Sequence, residues 1–257
     1  KKLIITADDF GATKEINQGI QQAILASRIT SVSLMVDLPY FAKAVRFLKQ
    51  HPQIAVGLHF NLTEGELRRS LLHTITSLAF GLLSTQNVKD ELLRQYKKLK
   101  KTGLSISHID SHENIHIFPP IFKLMYDFAE QYQIPRLRAC PFSIGQLGMM
   151  RNTLPTLKQL FLWTAHGCNY SLFFKHKKRK KCIPSYIFDL NWHNDFTSKH
   201  ISQLFSHLPS GTTEIICHLS STVTPDPLSY DRHKCLSCLL GADFGKILKL
   251  STSFSLL

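Results

Sequence analysis

Two hydrophobic patterns alternate along this chain. Short runs rich in Ile, Val and Leu are apolar at nearly every position, as in strands that are buried on both faces. Longer segments between them carry apolar residues three and four positions apart, the spacing of one helical face. In the first of these segments, Ile16, Ile20, Ala23 and Ile24 form such a face. The sequence therefore predicts alternating strands and helices.

The repeats predict a parallel sheet covered by helices. The predicted strands are Leu3–Ala7, Ser31–Val36, Ile54–Phe60, Ile106–Asp110, Arg136–Cys140, Tyr186–Leu190 and Glu214–His218. The predicted helices are Lys14–Ser27, Tyr40–Gln50, Val88–Lys101, Pro120–Gln131, Leu154–His166 and Ser198–Leu208. The tail Lys246–Leu257 is apolar enough for an eighth, irregular strand or a packing segment. For 257 residues an α/β barrel is the preferred fold, with an open doubly wound sheet as the alternative.

The chain reads as one domain over residues 1–257. It shows no repeat of 20 to 50 residues and no Gly/Ser-rich or Pro-rich linker. It also has no apolar run of about 18 residues and no signal-peptide core before its first acids. These features predict a cytoplasmic protein.

Acid–base and metal-ligand residue types stand at the ends of several predicted strands. The first strand leads into Asp8-Asp9, the third contains His59, the fourth runs into His112 and the last ends at His218. In α/β barrels, the C-terminal ends of the strands carry the chemistry. We therefore expect these side chains to meet at one edge of the barrel.

Each of these residues could instead have a purely structural role. Asp9 could cap a turn that begins at Gly11, and His59 alone could be a hydrogen-bonded core histidine. Adjacent strand residues point to opposite faces, so both acids can enter the barrel mouth only if the strand ends and the chain turns there. His112 and His116 have the i, i+4 spacing of a helical face, but Pro119-Pro120 favours an extended loop.

One carboxylate and two imidazoles form a coherent ligand set for a divalent cation with open positions. Such an ion activates water and polarises a carbonyl, while a second carboxylate serves as general base and a histidine as general acid. Hydrolysis of an amide uses all of these groups.

The positive charge of the chain favours anionic partners. Lys and Arg outnumber Asp and Glu by 31 to 18, and the tract KHKKRKK at 175–181 concentrates positive charge. No nucleic-acid-binding motif accompanies it, so a solvated basic loop is favoured over an anion or membrane-surface contact.

The six cysteines indicate reduced thiols, and the single C-x-x-C at Cys235 and Cys238 gives little support to a zinc or redox site.

The motifs TADDFG, TSVSLMV, GLHFNLT, HIDSHENIHIFPPIF, IPRLR and EIICHLS, in this order, resemble the YdjC-like carbohydrate deacetylase family, which includes the ChbG and HpnK types. The resemblance implies a distorted (β/α) barrel, a divalent metal that is usually magnesium, with zinc possible, and removal of acetyl groups from N-acetylated sugars. It further implies metal ligands at Asp9, His59 and His112, a general base at Asp8 and an acid at His218. Substrate contacts are implied at His116 and Arg138.

Two departures from the family pattern concern the site. His218 is followed by Leu-Ser-Ser where the family has Pro and a small residue, and Glu113-Asn114-Ile115 precedes His116 where the family often has another histidine. The middle of the chain resembles the hopanoid-associated HpnK group more than the ChbG type, and the HpnK group is associated with N-acetylglucosamine joined to a hopanoid lipid. The family as a whole implies N-acetylglucosamine oligosaccharides or lipid-linked N-acetylglucosamine as substrates. The apolar segments 71–83 and 157–163 are expected to be core helices; exposed beside the basic tract, they would favour an anionic membrane surface.

Two other functions remain open at this stage, together with the oligomeric state. A metal-dependent phosphoesterase would need a second metal about 3.5 to 4 Å from the first, and the sequence offers ligands for one. A sugar-binding protein without turnover is compatible with the altered His218 loop. Homodimers are the commonest soluble oligomers, so a homodimer is the default expectation for this chain.

Overall fold

The computed structural model describes residues 2–64, 73–74, 76–77, 84–139, 164, 167–169, 186–190, 210–223, 231–242, 244–245 and 255–256. The strands are β1 (Lys2–Phe10), β2 (Ser31–Leu34), β3 (Ala55–Phe60), β4 (Ile106–Ser111), β5 (Arg136–Leu137), β6 (Tyr186–Asp189), β7 (Thr212–Cys217) and β8 (Ser255–Leu256). The α-helices with described bounds are α1 (Lys14–Leu25), α2 (Phe41–Lys49), α3 (Thr85–Lys100), α4 (Pro119–Gln131) and α5 (Arg232–Leu240).

The strands form one parallel sheet in the order β5-β4-β3-β2-β1-β7-β6, with β8 also paired to β1. Because β7 returns to lie beside β1, successive strands run round the sheet in chain order, as in a barrel, rather than reversing as in a doubly wound sheet. Within the described residues the sheet is open between β5 and β6. The predicted α/β class and distorted barrel are confirmed; division into domains stays a prediction.

Burial of both sheet faces explains the apolar strands. Every described residue of β1 after Lys2 is buried, and α1 covers the sheet with the predicted face of Ile16, Ile20, Ala23 and Ile24. The hydroxyl of Thr13 accepts a hydrogen bond from the backbone N–H of Ile16 and so caps α1. One large core cluster thus runs under the helices.

Several predicted boundaries shift. The predicted first strand stops at Ala7, whereas β1 continues to Phe10, with an irregularity in its pairing with β2 between Ala7 and Phe10. The fifth strand is shorter than predicted, and the predicted tail strand is present as β8. The predicted helices at 154–166 and 198–208 lie outside the described residues, apart from residue 164. None of the helices in the described parts of the chain is both long and apolar enough to cross a bilayer.

Candidate functional site

Asp9, His59 and His112 meet at the C-terminal edge of the sheet. Oδ1 of Asp9 lies 3.3 Å from Nε2 of His59 and 3.0 Å from Nδ1 of His112. Donor atoms bound to one ion at about 2.1 Å, at angles of about 90° to 110°, lie about 3.0 to 3.4 Å apart. All three residues are buried, and each offers a ligand atom within 4.8 Å of the others. The set therefore fits a single divalent ion.

A local distortion of β1 brings both adjacent acids into this site. Asp9 has a φ of 65°, in the left-handed region, within the irregular stretch between Ala7 and Phe10. This breaks the strict alternation of side chains along the strand. Both acids reach the site, as predicted. The cause differs from the predicted one, because a bulge at Asp9 inside the strand turns the chain and the strand does not end before Gly11.

Asp110 orients His59. Its Oδ1 lies 2.8 Å from Nδ1 of His59, so with the proton on Nδ1 the lone pair of Nε2 faces Asp9. Asp110 is itself held through Oδ2 by the hydroxyl of Ser33 at 2.6 Å and by Nη2 of Arg138 at 2.6 Å. A carboxylate behind a ligating imidazole fixes the tautomer and raises ligand basicity.

Arg138 holds Asp8. Nη1 of Arg138 donates to Oδ2 of Asp8 at 2.6 Å and Nη2 donates to Oδ1 at 2.8 Å, a two-point contact. Glu214 also contacts Arg138, at 3.3 Å, and accepts a hydrogen bond from Thr6. Burial lowers the pKa of Arg138, but Asp110, Asp8 and Glu214 outweigh that effect and raise it well above its usual value. Arg138 is therefore a fixed cation among three carboxylates.

The charges of the connected groups favour a bound cation. Four buried carboxylates (Asp8, Asp9, Asp110 and Glu214) contact two buried guanidiniums (Arg138 and Arg232), and Asp189 adds a fifth buried carboxylate beside His218, so negative charge is in excess. Burying uncompensated charge is costly, so the site favours positive charge. Protonated imidazoles or a divalent ion would supply it.

The pKa values of the ligand residues reflect this excess of negative charge. Burial lowers the pKa of His59, but Asp8 and Asp110 outweigh it and raise the pKa to about 9. Burial also opposes the charged form of His112, yet Asp9 and Glu64 raise its pKa to about 10. Burial raises the pKa of Asp9, whereas Arg232 and His112 together hold it well below its usual value.

His218 follows β7 on the other side of Asp8. Its Nε2 lies 4.0 Å from Oδ2 of Asp8 and its Nδ1 lies 3.7 Å from Oδ1 of Asp189, at the end of β6. The altered loop behind it is well anchored: the N–H of Ser220 donates to the carbonyl of Arg232, and that of Ser221 donates to the carbonyl of Glu15. The loop that replaces the family's Pro is thus tied to both α5 and α1.

The two predicted substrate residues lie deep in the structure. His116 is fully buried in the 3₁₀ helix His112–Ile117, and its Nδ1 contacts the hydroxyl of Ser111. Glu113 and Asn114 adopt left-handed backbone angles in that segment, which is a kinked helix rather than the predicted extended loop. Arg138 is 2% exposed. Its contacts with carboxylates are described above, and substrate contact by either residue stays a prediction.

Sequence reasoning missed several residues that contact the site, among them Glu214, which contacts Arg138. Asp110 could have been found near the end of the fourth strand, on the same strand face as His108 and two residues before His112. Asp189 is the last residue of β6, and in α/β barrels the C-terminal ends of the strands carry the chemistry. Arg232 and Glu64 carry no strand-end signal; Arg232 lies 2.8 Å from Oδ2 of Asp9, and Glu64 lies 3.4 Å from Nε2 of His112.

The remaining sequence features lie apart from this site or outside the described residues. The basic tract 175–181 and the segment 157–163 fall outside them, as does most of 71–83. Cys168, Cys217, Cys235 and Cys238 are free thiols. Burial raises the pKa of both Cys235 and Cys238, which disfavours the reactive thiolate.

Comparisons with known proteins identify the family and support the fold. The sequence model of the family described as YdjC-like protein matches residues 2–250. A Vibrio cholerae protein named carbohydrate deacetylase is 33% identical over 227 residues, which are 84% of this chain and 77% of that protein. A Brevibacillus brevis protein of the same name is 35% identical over 149 residues, or 52% of this chain. The matched part of the chain spans only 58% of the Brevibacillus protein and 57% of a similar Geobacillus stearothermophilus protein.

Two solved structures share the fold. A protein of Enterococcus faecalis named for cellobiose-phosphate cleavage superposes with a TM-score of 0.70 at 22% identity, covering 97% of this chain and 94% of its own. The lactam utilization protein of Thermus thermophilus gives a TM-score of 0.52 at 14% identity, covering 100% and 99%. At these identities the likeness concerns the fold alone.

Proposed function

Because the chain belongs to the YdjC-like family, we propose that it is a metal-dependent N-deacetylase that hydrolyses the acetamide of an N-acetylated sugar and releases acetate. The observation that carries this proposal is the convergence of Asp9, His59 and His112 at ion-binding spacing, with Asp8 and His218 beside them. The relatives named carbohydrate deacetylase support the choice of substrate class.

The side chains divide the reaction between them. Asp9, His59 and His112 would hold the divalent ion, which supplies Lewis-acid polarisation of the acetamide carbonyl and a lowered pKa for water. Asp8, fixed by Arg138, accepts the proton of the attacking water. His218 gives a proton to the departing sugar nitrogen as the C–N bond breaks, and Asp189 lies 3.7 Å from the Nδ1 atom of its ring.

Magnesium is the proposed ion because of the family resemblance. Zinc is the alternative, since imidazole nitrogen suits zinc well and carboxylate oxygen suits either ion. The protein is stripped of metal with a chelator and then supplied with magnesium or zinc. The rate of acetate release with each ion distinguishes the two ions.

Metal binding is expected to release about two protons near pH 7. The pKa values of about 9 and about 10 mean that both imidazoles are protonated there in the metal-free chain. An entering ion must displace those protons, so its apparent affinity rises with pH below about pH 9. Calorimetric titration in buffers of different ionisation enthalpy counts the protons. An affinity that does not vary from about pH 6 to about pH 8.5 would contradict this protonation state.

Gly19→Ala is expected to lower turnover while leaving metal binding intact. A Cβ at Gly19 would lie 2.8 to 2.9 Å from backbone atoms of Ser220, so the loop that follows His218 must move. Displacing a catalytic group by about 1 Å can cost about 10²-fold in rate, and we expect a loss of about tenfold or more. The metal Kd should stay within about twofold, because the proposed ligands lie on other elements of the fold.

Gln22→Ala, at an exposed position of α1, is the matched control and should leave both quantities unchanged. A Gly19→Ala protein that folds and turns over at the wild-type rate would show that the position of this loop does not limit the reaction.

The phosphoesterase alternative lacks room for its second ion. A second group of possible ligands, Asp8, His59 and Asp110, exists in the described part of the chain. Arg138, however, already contacts both Asp8 and Asp110 at 2.6 Å. Its guanidinium occupies the position where a second cation would balance these carboxylates, so a one-metal amidase is the better fit.

Acetate release tests the proposal directly. N-acetylglucosamine oligomers and lipid-linked N-acetylglucosamine are incubated with the protein, with and without divalent metal, and loss of one acetyl group is followed by mass spectrometry. Metal-dependent loss supports deacetylation and identifies the substrate class. Binding of the sugars without acetate release would favour the sugar-binding alternative. Contact with anionic membranes, cytoplasmic location and homodimerisation stay predictions.

A further inference from the structure

We infer that Arg232 is a positioning residue of the metal site, which sets the orientation of Asp9; this rests on the metal-binding part of the proposed function. Nη2 of Arg232 lies 2.8 Å from Oδ2 of Asp9, while Oδ1 of the same carboxylate faces His59 and His112. The two oxygens of Asp9 therefore have separate partners. With Oδ2 held by a guanidinium, Asp9 would bind an ion through Oδ1 alone.

The contact between the two residues is electrostatic. Both side chains are buried, Arg232 at 8% and Asp9 at 2% exposure. Oδ2 of Asp9 has no aligned hydrogen-bond donor among the described residues, so the contact is a charge pair rather than a directed hydrogen bond. In a buried setting such a pair is strong, because little water screens it.

Helix stability does not explain a cation at this position. Arg232 is the first residue of α5, directly after the cap Asp231, whose side chain accepts from the N–H of Lys234. The helix dipole places partial positive charge at this end, so an arginine in the first turn is unfavourable for the helix itself. The buried carboxylate of Asp9 offsets that cost. This location is explained by the metal site and not by the helix.

Arg232 also links the metal ligand to the proposed acid. Its carbonyl accepts the hydrogen bond from the N–H of Ser220, two residues after His218. The side chain of Arg232 thus contacts the ligand on β1, while its backbone holds the loop after β7. One residue at the start of α5 therefore fixes the relative placement of Asp9 and His218, which the proposed reaction needs on opposite sides of the acetamide.

Metal binding by the whole chain, without any substrate, tests the inference. Arg232→Met removes the charge and keeps most of the side-chain volume. We expect its Kd for Zn²⁺ or Mg²⁺ to fall by about tenfold, because the substitution removes a cation that repels the ion and frees Oδ2 of Asp9. The absorption bands of bound Co²⁺ should shift as well, because Asp9 can then bind the ion through both oxygens. Arg232→Lys should return the Kd part of the way to the wild-type value, since it restores the charge.

Arg46→Met, at an exposed position of α2, is the matched control and should bind metal as the wild type does. If Arg232→Met does not fold, Arg232→Gln takes its place under the same criterion. A wild-type Kd together with an unchanged Co²⁺ spectrum would overturn the role of Arg232. If the wild-type chain itself binds no divalent ion, the metal-dependent function fails with it, whereas normal deacetylation with an insensitive Arg232 overturns this inference alone.

Discussion

Asp9→Asn is expected to abolish tight metal binding and to lower the rate of acetate release by about 10³-fold or more. The substitution removes the charged ligand but keeps its shape, so it isolates the electrostatic contribution. An ion that polarises a carbonyl supplies several kcal/mol of transition-state stabilisation, and about 4 kcal/mol corresponds to about 10³ in rate. Calorimetric titration with the metal and a coupled acetate assay measure the two effects.

The same substitution also leaves positive charge uncompensated. In the metal-free variant, Arg232 and the two imidazoles lose their shared anion. The pKa values of His59 and His112, raised to about 9 and about 10 in the metal-free chain, should therefore fall. Asp127→Asn, which alters a half-exposed carboxylate paired with Lys123 on α4, is the control. A folded Asp9→Asn protein with wild-type metal affinity would remove Asp9 from the ligand set.

The strand-end argument predicted the edge of the sheet at which the candidate ligands converge. Near-continuous apolar strands indicated a parallel sheet, and in a parallel sheet the residues after each strand share one edge. Asp9 lies on β1, His59 on β3 and His112 directly after β4, so their convergence followed from the consecutive order β1, β2, β3, β4 in the sheet. Local pattern and topology together were sufficient for this part of the site.

The groups that support these ligands were harder to predict, because they depend on register and side-chain reach. Arg138 contacts Asp8 across 130 residues of sequence, and nothing in either local pattern indicates that pairing. Arg232 reaches Asp9 from the first turn of a helix, a position that strand-end reasoning does not examine. The bulge that turns Asp9 inward is likewise a property of the pairing between β1 and β2.

His108 shows that a residue type common in metal sites can have a structural role. It lies on β4, two residues before Asp110, and it is fully buried between the hydroxyls of Ser33 and Ser107. Burial and the charge of Arg136 lower its pKa well below the usual value, so it is a neutral core histidine. Only the contacts distinguish it from His112, four residues later on the chain.

Asp8→Asn is expected to separate proton transfer from metal binding. If Asp8 is the general base, the variant should bind metal with a Kd within about threefold of the wild type, and kcat should fall by about 10² to 10⁴ with little change in KM. The amide keeps the shape of the side chain, and Arg138 retains its contacts with Asp110 and Glu214. Single-turnover kinetics with metal-saturated protein measure the chemical step, and Asp90→Asn on the exposed side of α3 is the control.

This variant also decides between the two possible ligand groups around His59. In one group His59 joins Asp9 and His112, and in the other it joins Asp8 and Asp110. If the ion occupied the second group, Asp8→Asn would weaken metal binding as severely as Asp9→Asn does. The contacts of Arg138 argue against that, because a guanidinium 2.6 Å from both Asp8 and Asp110 would repel an ion placed between them. Retained metal with lost turnover therefore makes Asp8 the base and Arg138 the cation that holds it ready.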